Sequence, residues 1–426
     1  MGRQRVLISA AVVTVVFVGL VIVLAVIFRP TETPVEERGE RINVLVGSTN
    51  PCVECHARTT PGIVQQYGVS TMAAADVTCQ NCHEVSADYP SAVEHEGTWV
   101  LRSPTPARCE TCHAAEVAQF GQSRHSLPAY VAVAGATELR EDHLNHYLSI
   151  TEGQPLGDRS RNAIAALEGD TLTRFTCYGC HNIGRPHEDG SAGECQQCHL
   201  RHEFSLEQAR RPETCNACHI GPDHPQYEIY FQSPHGIAYS TGGQYWNWDA
   251  EPGTLTVEDF PAPTCALCHM SGFGASGTTH DVGDRLTWFL FSPVSERRPG
   301  YTDNQVRMQN VCLECHNREF VDDFYAAADA ATERVNEWTQ EGQDIAAQLA
   351  EAGVLTEAPF DEPIDFTIFN LWHHWGRTAK FGIWMQGPDY SQWHGAYEVL
   401  HDLAELRAFA AEHLGEAGAV ETGATE

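Results

Sequence analysis

Apolar residues are distributed along this chain in three different ways, and each predicts a different kind of structure. From Val6 to Phe28 they run on without a charged residue behind Arg3 and Arg5, enough for a helix to cross a bilayer. The run ends in Phe28-Arg29-Pro30 with no Ala-X-Ala cleavage site, so residues 1–28 are expected to be an uncleaved anchor. The short basic end stays inside and the rest is exported, to the periplasmic (extracytoplasmic) side. Residues 29–45 are polar with prolines and read as a tether. From 46 to 320 the apolar stretches are short and interrupted by Gly, Pro and Asn, which predicts short helices joined by turns.

Beyond residue 320 the periodicity becomes helical. Asp322 to Leu355 has Val335, Trp338, Ile345 and Leu349 on one face, with Gly353 as a stop and Pro359 and Pro363 as breakers. A second helix is expected over about Thr367–Gln386, ending at Gly387-Pro388, and a third from Trp393 to Leu414. Trp372, Trp375, Phe381, Trp384 and Trp393 suit large contacts, either among these helices or with a sister subunit. Residues 321–414 therefore read as a helical oligomerisation region, and 415–426 as a disordered tail. The expected fold class is mainly α.

The cysteines change this picture most. All 16 fall in eight copies of Cys-X-X-Cys-His. The pairs are Cys52/Cys55, Cys79/Cys82, Cys109/Cys112, Cys177/Cys180, Cys195/Cys198, Cys215/Cys218, Cys265/Cys268 and Cys312/Cys315. The histidines that follow are His56, His83, His113, His181, His199, His219, His269 and His316. In such a motif two thiols can add to the vinyl groups of one haem, and the next histidine binds its iron. Zinc sites would not need a histidine after every second cysteine, and disulfides would leave eight histidines unexplained. The region 46–320 is thus expected to wrap around eight covalently bound haem c groups, which supply much of the buried apolar area.

Of the 22 histidines, 14 lie outside the motifs. Eight bis-histidine haems would use eight of them, so the count permits saturation of every iron and does not separate an electron wire from an enzyme. Candidate distal ligands are His95, His125, His202, His235, His280, His374 and His394; His401 and His413 read as surface positions among charged residues.

The formal charge of −31 argues against nucleic acid as a partner and favours docking to a basic redox partner, although an acid-rich proteome gives the same signature. Lys380 is the single lysine among 26 basic residues, and no Cys-X-X-Cys-Lys motif occurs. A lysine-ligated nitrite or tetrathionate reductase would have only Lys380 to use.

Several segments, in this order, resemble the octahaem hydroxylamine oxidoreductase family over about residues 50–410. They are Phe-Gly-Gln-Ser-Arg-His-Ser-Leu-Pro-Ala (120–129), Cys-His-Leu-Arg-His-Glu-Phe-Ser (198–205), Cys-His-Ile-Gly-Pro-Asp-His-Pro-Gln (218–226), Gln-Ser-Pro-His-Gly (232–236), Thr-His-Asp-Val-Gly-Asp-Arg-Leu-Thr-Trp (279–288) and Gly-Pro-Asp-Tyr-Ser-Gln-Trp-His-Gly-Ala-Tyr-Glu (387–398). The resemblance implies a homotrimer with one five-coordinate catalytic haem, the fourth, on Cys177, Cys180 and His181, and seven bis-histidine carriers. It implies that Asp223-His224 overhangs the open face. It also implies, for hydroxylamine-oxidising members, a tyrosine from a neighbouring subunit bonded to that porphyrin, for which Tyr390 and Tyr397 are the candidates.

The function expected from all this is oxidation of hydroxylamine to nitric oxide or nitrite, with electrons leaving to a cytochrome c or the quinone pool. The alternatives are a nitrite or hydroxylamine reductase or hydrazine dehydrogenase of the same family, or a membrane-anchored electron conduit without catalysis. An N-terminal membrane segment is the visible departure from the family.

Overall fold

A computed structural model describes residues 50–152, 154 and 159–415. The expected anchor, the tether and all of the tail but Gly415 lie outside those residues. Among the described residues no helix is long and apolar enough to cross a membrane.

The described residues are mainly helical, with two small antiparallel ribbons among them, Val93–His95 on Thr98–Val100 and Trp288–Phe289 on Glu296–Arg297. Several Cys-X-X-Cys-His motifs are single helical turns, as at Cys79–His83, Cys177–His181 and Cys265–His269. Helical winding explains why this spacing works. Positions i, i+3 and i+4 share one face, so both thiols and the imidazole are presented together. The turns start where a side chain can satisfy free N–H groups: Asn50 accepts from Cys52 and Val53, and Thr264 accepts from Leu267.

Three apolar clusters stabilise the chain. Leu127, Val131, Leu139 and Tyr147 form one, and Tyr230, Trp248, Phe260, Leu267 and Phe273 a second. The third joins the C-terminal helices through Ile345, Leu349, Ile364, Leu371, Leu403 and Leu406.

The long helix runs Arg318–Glu351, starting earlier than the periodicity suggested because Asn317 caps it. Val335, Ile345 and Leu349 are buried, and Gly353 ends the segment with φ +71°. Pro363 opens the next helix rather than breaking the chain there, since a first-turn proline loses no intrahelical bond. That helix, Pro363–Asn370, passes through a π turn at Leu371–Gly376 into Arg377–Met385, and Gln386 closes it in the left-handed region. The last helix, Tyr397–Leu414, follows a second π turn at Gln392–Ala396. Arg407 grips Glu341 on the long helix through two bonds of 2.6 and 2.7 Å.

These helices also hold the haem-motif region. Trp288 donates to Asp329 at 2.9 Å, and Ser295 exchanges two 2.8 Å bonds with Asn336. Close backbone approach fixes one further junction: a Cβ on Gly184 would overlap the carbonyl of Ser126. Gly184→Ala is therefore expected to destabilise the protein by roughly 1–3 kcal/mol, read as a lower Tm by circular dichroism.

Candidate functional site

Histidine pairs reveal where metal could sit. Ring centres of His56 and His95 lie 6.0 Å apart, His83 and His202 6.2 Å, and His219 and His125 5.8 Å. His199 and His280 are 6.3 Å apart, and His316 and His235 6.2 Å. Two metal–nitrogen bonds of about 2 Å, plus the reach from each nitrogen to its ring centre, sum to roughly 6 Å. Each pair thus joins a motif histidine to a distal candidate at the separation a six-coordinate iron requires.

The orientation of the motif rings agrees with this. Nδ1 is held by Thr60 Oγ1 in His56 (2.7 Å), by Leu101 O in His83 (2.6 Å), by Ala129 O in His181 (2.7 Å) and by Gln226 Oε1 in His219 (3.1 Å). Tying Nδ1 leaves Nε2 as the ligand atom. The residues present therefore fit haem c.

The structure does not bring His374 or His394 to a motif histidine. His394 is exposed, stacked on Tyr390 at 5.0 Å with Nδ1 3.0 Å from Asp389. His374 sits in the first π turn, within electrostatic range of Asp223. Among the described residues no imidazole stands at the paired spacing from His113 or His269.

Contacts between cysteines order the array. The side chain of Cys109 lies close to that of Cys195, Cys180 close to Cys218, and Cys215 close to Cys265. Cys82 lies within interaction range of Cys109, Cys198 of Cys215, and Cys268 of Cys312. The motifs thus follow one another in space as second, third, fifth, sixth, seventh and eighth, with the fourth placed beside the sixth.

Cys55, Cys112 and Cys315 are exposed, whereas the other thirteen are partly buried. Cys55 lies on the helix Pro51–Thr59, where Val53 alone is buried. Cys112 follows the helix Pro106–Glu110 within a stretch, 111–115, that is exposed throughout. Spacing fixes which thiols share a motif, but it carries no information on how deeply the fold encloses them. A thiol need only reach a vinyl group to form its thioether, so exposure leaves that chemistry open at all three.

At the fourth motif stands the Asp223-His224 pair. Gly221 turns the chain with φ +84°, and Pro222 and Pro225 bracket the pair with restricted φ. Tyr227 N–H donates back to His219 O at 3.1 Å, folding the loop over the sixth motif. As a result the His224 ring lies 6.2 Å from His181 and 6.3 Å from His219. Its Nδ1 is 2.9 Å from Asp223 Oδ2. The His181–His224 spacing equals that of the five pairs above, so distance does not distinguish the fourth motif from the others. Orientation sets it apart, with planes at 85° against 25–56° in those pairs.

Apart from Phe381, the wall of this site comes from residues that the sequence had not singled out. Phe291 packs on His224 at 5.2 Å and on Phe381 at 5.1 Å. Arg377 donates through Nε and Nη2 to Phe291 O (3.0 and 2.7 Å), and Thr378 Oγ1 donates to Pro222 O (2.9 Å). His373 packs on Phe369 at 4.1 Å, its Nδ1 buried without a partner. Burial pushes the Asp223 carboxyl up, but the His224 contact and the charges of His224, His373 and Arg377 outweigh it, holding the group well below the usual range. The one available signal was the Trp372-His373-His374-Trp375 cluster; the π turn that points it inward leaves no mark on helical periodicity.

Lys380 is fully buried, bonded to Ser295 Oγ at 2.7 Å. Desolvation first, then the neighbouring Arg377 charge, lowers its pKa to about 7. The unfolded chain then binds more protons between about pH 7 and its ordinary value, so stability rises with pH across that window. Relative to Lys380→Met, the wild-type Tm is expected to gain from pH 7 to 10, a change on the order of a few kcal/mol. Parallel Tm-versus-pH curves for the two proteins would refute this.

Tyr390 is half-buried against its own chain's His394, and Tyr397 is exposed beside Trp393 at 5.5 Å. Neither ring stands beside His181 within one chain.

Comparison with known proteins adds the following. The profile described as "Seven times multi-haem cytochrome CxxCH" matches residues 75–363, a span that contains the second to eighth motifs. A probable nitrite reductase–hydroxylamine oxidoreductase fusion protein of Kuenenia stuttgartiensis is 30% identical over 256 residues, 57% of this chain. This chain spans only 28% of that relative's length. Among solved structures, a hypothetical multihaem protein matches with TM-score 0.74 at 21% identity, covering 86% of this chain and 97% of its own. The reducing hydroxylamine-oxidoreductase-like protein complex of Kuenenia stuttgartiensis matches with TM-score 0.64 at 19% identity, over 89% and 86%.

Proposed function

This chain belongs to the multihaem CxxCH cytochromes, and on that premise we propose that it is of the hydroxylamine-oxidoreductase-like kind, an octahaem oxidoreductase of small nitrogen compounds reacting at the fourth haem. The leading reaction is oxidation of hydroxylamine, to nitric oxide with loss of three electrons and three protons, or with water to nitrite with loss of four electrons and five protons. The electron acceptor is a cytochrome c or the quinone pool. Cys177, Cys180 and His181 hold the reacting haem, and the other seven motifs hold carriers. The printed names of the Kuenenia relatives support the substrate class.

Haem c, when bound, supplies an iron that binds substrate nitrogen and takes up its electrons. The remaining work belongs to the chain. Ala129 O fixes the tautomer of His181, so that Nε2 is the ligand. Asp223 holds Nδ1 of His224 and stabilises its imidazolium, leaving Nε2 to take protons from the substrate. Phe291 and Phe381 line one side with apolar surface. Cys180 and Cys218 lie side by side, so a haem held by the sixth motif would stand next to one held by the fourth and could accept its electrons.

The Asp223–His224 pair beside His181 carries this reading. It is tested by EPR of the purified protein, where a high-spin ferric signal that responds to hydroxylamine is expected, together with hydroxylamine-dependent dye reduction. A second reading, the electron conduit, draws on the 6.2 Å His181–His224 spacing; it requires eight low-spin irons and no response to ligand. The covalent tyrosine, Tyr390 or Tyr397 from a neighbour in a homotrimer, belongs to the oxidative reading. It predicts a crosslinked trimer on denaturing gels, and a monomer there would remove it. Anchoring through residues 1–28, with 46–320 as the haem domain and 321–414 as the oligomerising helices, completes the proposal.

A further inference from the structure

We propose that Arg377 anchors a planar, two-oxygen anion of the nitrite class beside the fourth haem. The proposal rests on the reading of that haem as the reacting centre and names the ligand class that the site is built to hold. Arg377 is only 8% exposed, and among the described residues no carboxylate forms an ion pair with it. Its two hydrogen bonds leave by Nε and Nη2 to a single neutral carbonyl, Phe291 O. The Nη1–Nη2 edge therefore keeps donors for a further acceptor. A guanidinium edge matches two coplanar oxygens in a bidentate fork, which a lysine ammonium does not.

Its place is at the reacting centre. Arg377 lies within electrostatic range of His181 and of Asp223, and its guanidinium stacks over Phe291, the ring that touches His224. Thr378, the next residue, is bonded to the Pro222 carbonyl, so the helix start is fixed against the Asp223-His224 loop. The groups facing this space are Asp223, His224, His373, His374, Arg377 and, one turn on, Lys380. Asp223 is the one carboxylate among them, and it is bonded to His224. A buried guanidinium whose nearest carboxylate is already bonded to a histidine gains from a further anion on its free edge. In a chain of net charge −31, which repels anions at long range, such a local excess of donors favours an anion at this spot.

Nitrite fits the fork by shape and charge, whereas hydroxylamine is neutral and carries one oxygen. In the reductive direction nitrite takes four electrons, delivered from the redox partner through the carrier haems, and five protons. It yields hydroxylamine and water. In the oxidative direction nitrite leaves from the same anchor.

The test compares holoprotein of wild type, Arg377→Gln and Arg377→Lys. Nitrite and hydroxylamine affinities are read from optical difference titrations, and haem midpoint potentials from spectroelectrochemistry. Arg377→Gln is expected to weaken nitrite at least tenfold with hydroxylamine affinity within twofold. Arg377→Lys is expected to recover only part of the loss. An unchanged nitrite-to-hydroxylamine affinity ratio in both variants would overturn the proposal. So would a lowered midpoint potential with unaltered nitrite affinity, which would make a haem propionate the guanidinium's partner. If wild type binds hydroxylamine or nitric oxide while the ratio stays unchanged, only this inference fails. If wild type binds neither, the reading of the fourth haem as reacting centre fails with it.

Discussion

His224→Ala is expected to lower hydroxylamine turnover by about 10²–10⁴-fold, the range by which a positioned acid–base group accelerates proton transfer. The same variant discriminates the two roles its geometry allows. His224 lies 6.2 Å from His181, the spacing of a ligand pair, yet its Nδ1 is bonded to Asp223, as suits both a ligand and a base. A base leaves the iron's spin state untouched when removed, and activity alone falls. A ligand leaves a vacancy, so a low-spin signal is replaced by a high-spin one. Asp223→Asn should follow His224→Ala in direction with a smaller loss, because it removes the charge that stabilises the imidazolium while sparing the ring. Full activity in His224→Ala would end the acid–base assignment.

The second large effect concerns the attachment site itself. Cys177→Ala with Cys180→Ala is expected to abolish hydroxylamine activity, a fall of more than about 10³-fold if the reacting iron is lost outright. Haem content should drop from eight per chain to seven by pyridine haemochrome assay, and the low-spin signals of the carriers should remain. The corresponding pair at the fifth motif, Cys195 and Cys198, should instead slow electron passage while hydroxylamine still perturbs the optical spectrum. Substrate-induced spectral change persisting without Cys177 and Cys180 would move the reaction to another haem.

Much of the architecture was legible because its physics is local. Cys-X-X-Cys-His needs one helical turn to gather its three groups, so the attachment sites could be read from spacing alone. The long C-terminal helix was visible in the stripe of Val335, Ile345 and Leu349, all buried against neighbouring helices. Its start was misplaced because Asn317, a capping side chain, counts for more than the periodicity that follows. Pro363 reads as a breaker in a sequence, yet it begins a helix where no donor is required of it.

Distal partners were harder, since a ligand pair joins residues far apart in the chain. His125 meets His219 and His83 meets His202 only after the loops have folded. The same holds for His374 and His394, whose sequence settings resemble those of the partners but whose π turns direct them elsewhere.

By itself, then, the sequence determined the kind of cofactor, the number of attachment motifs and the helical class, since each is written in spacings of a few residues. Only the tertiary structure decided which imidazoles face each other, that the fourth motif lies against the sixth, and that Arg377 and Phe291 stand beside Asp223-His224. Those relations join side chains about forty to about a hundred and fifty residues apart in the chain, and local propensity carries no information about such distances.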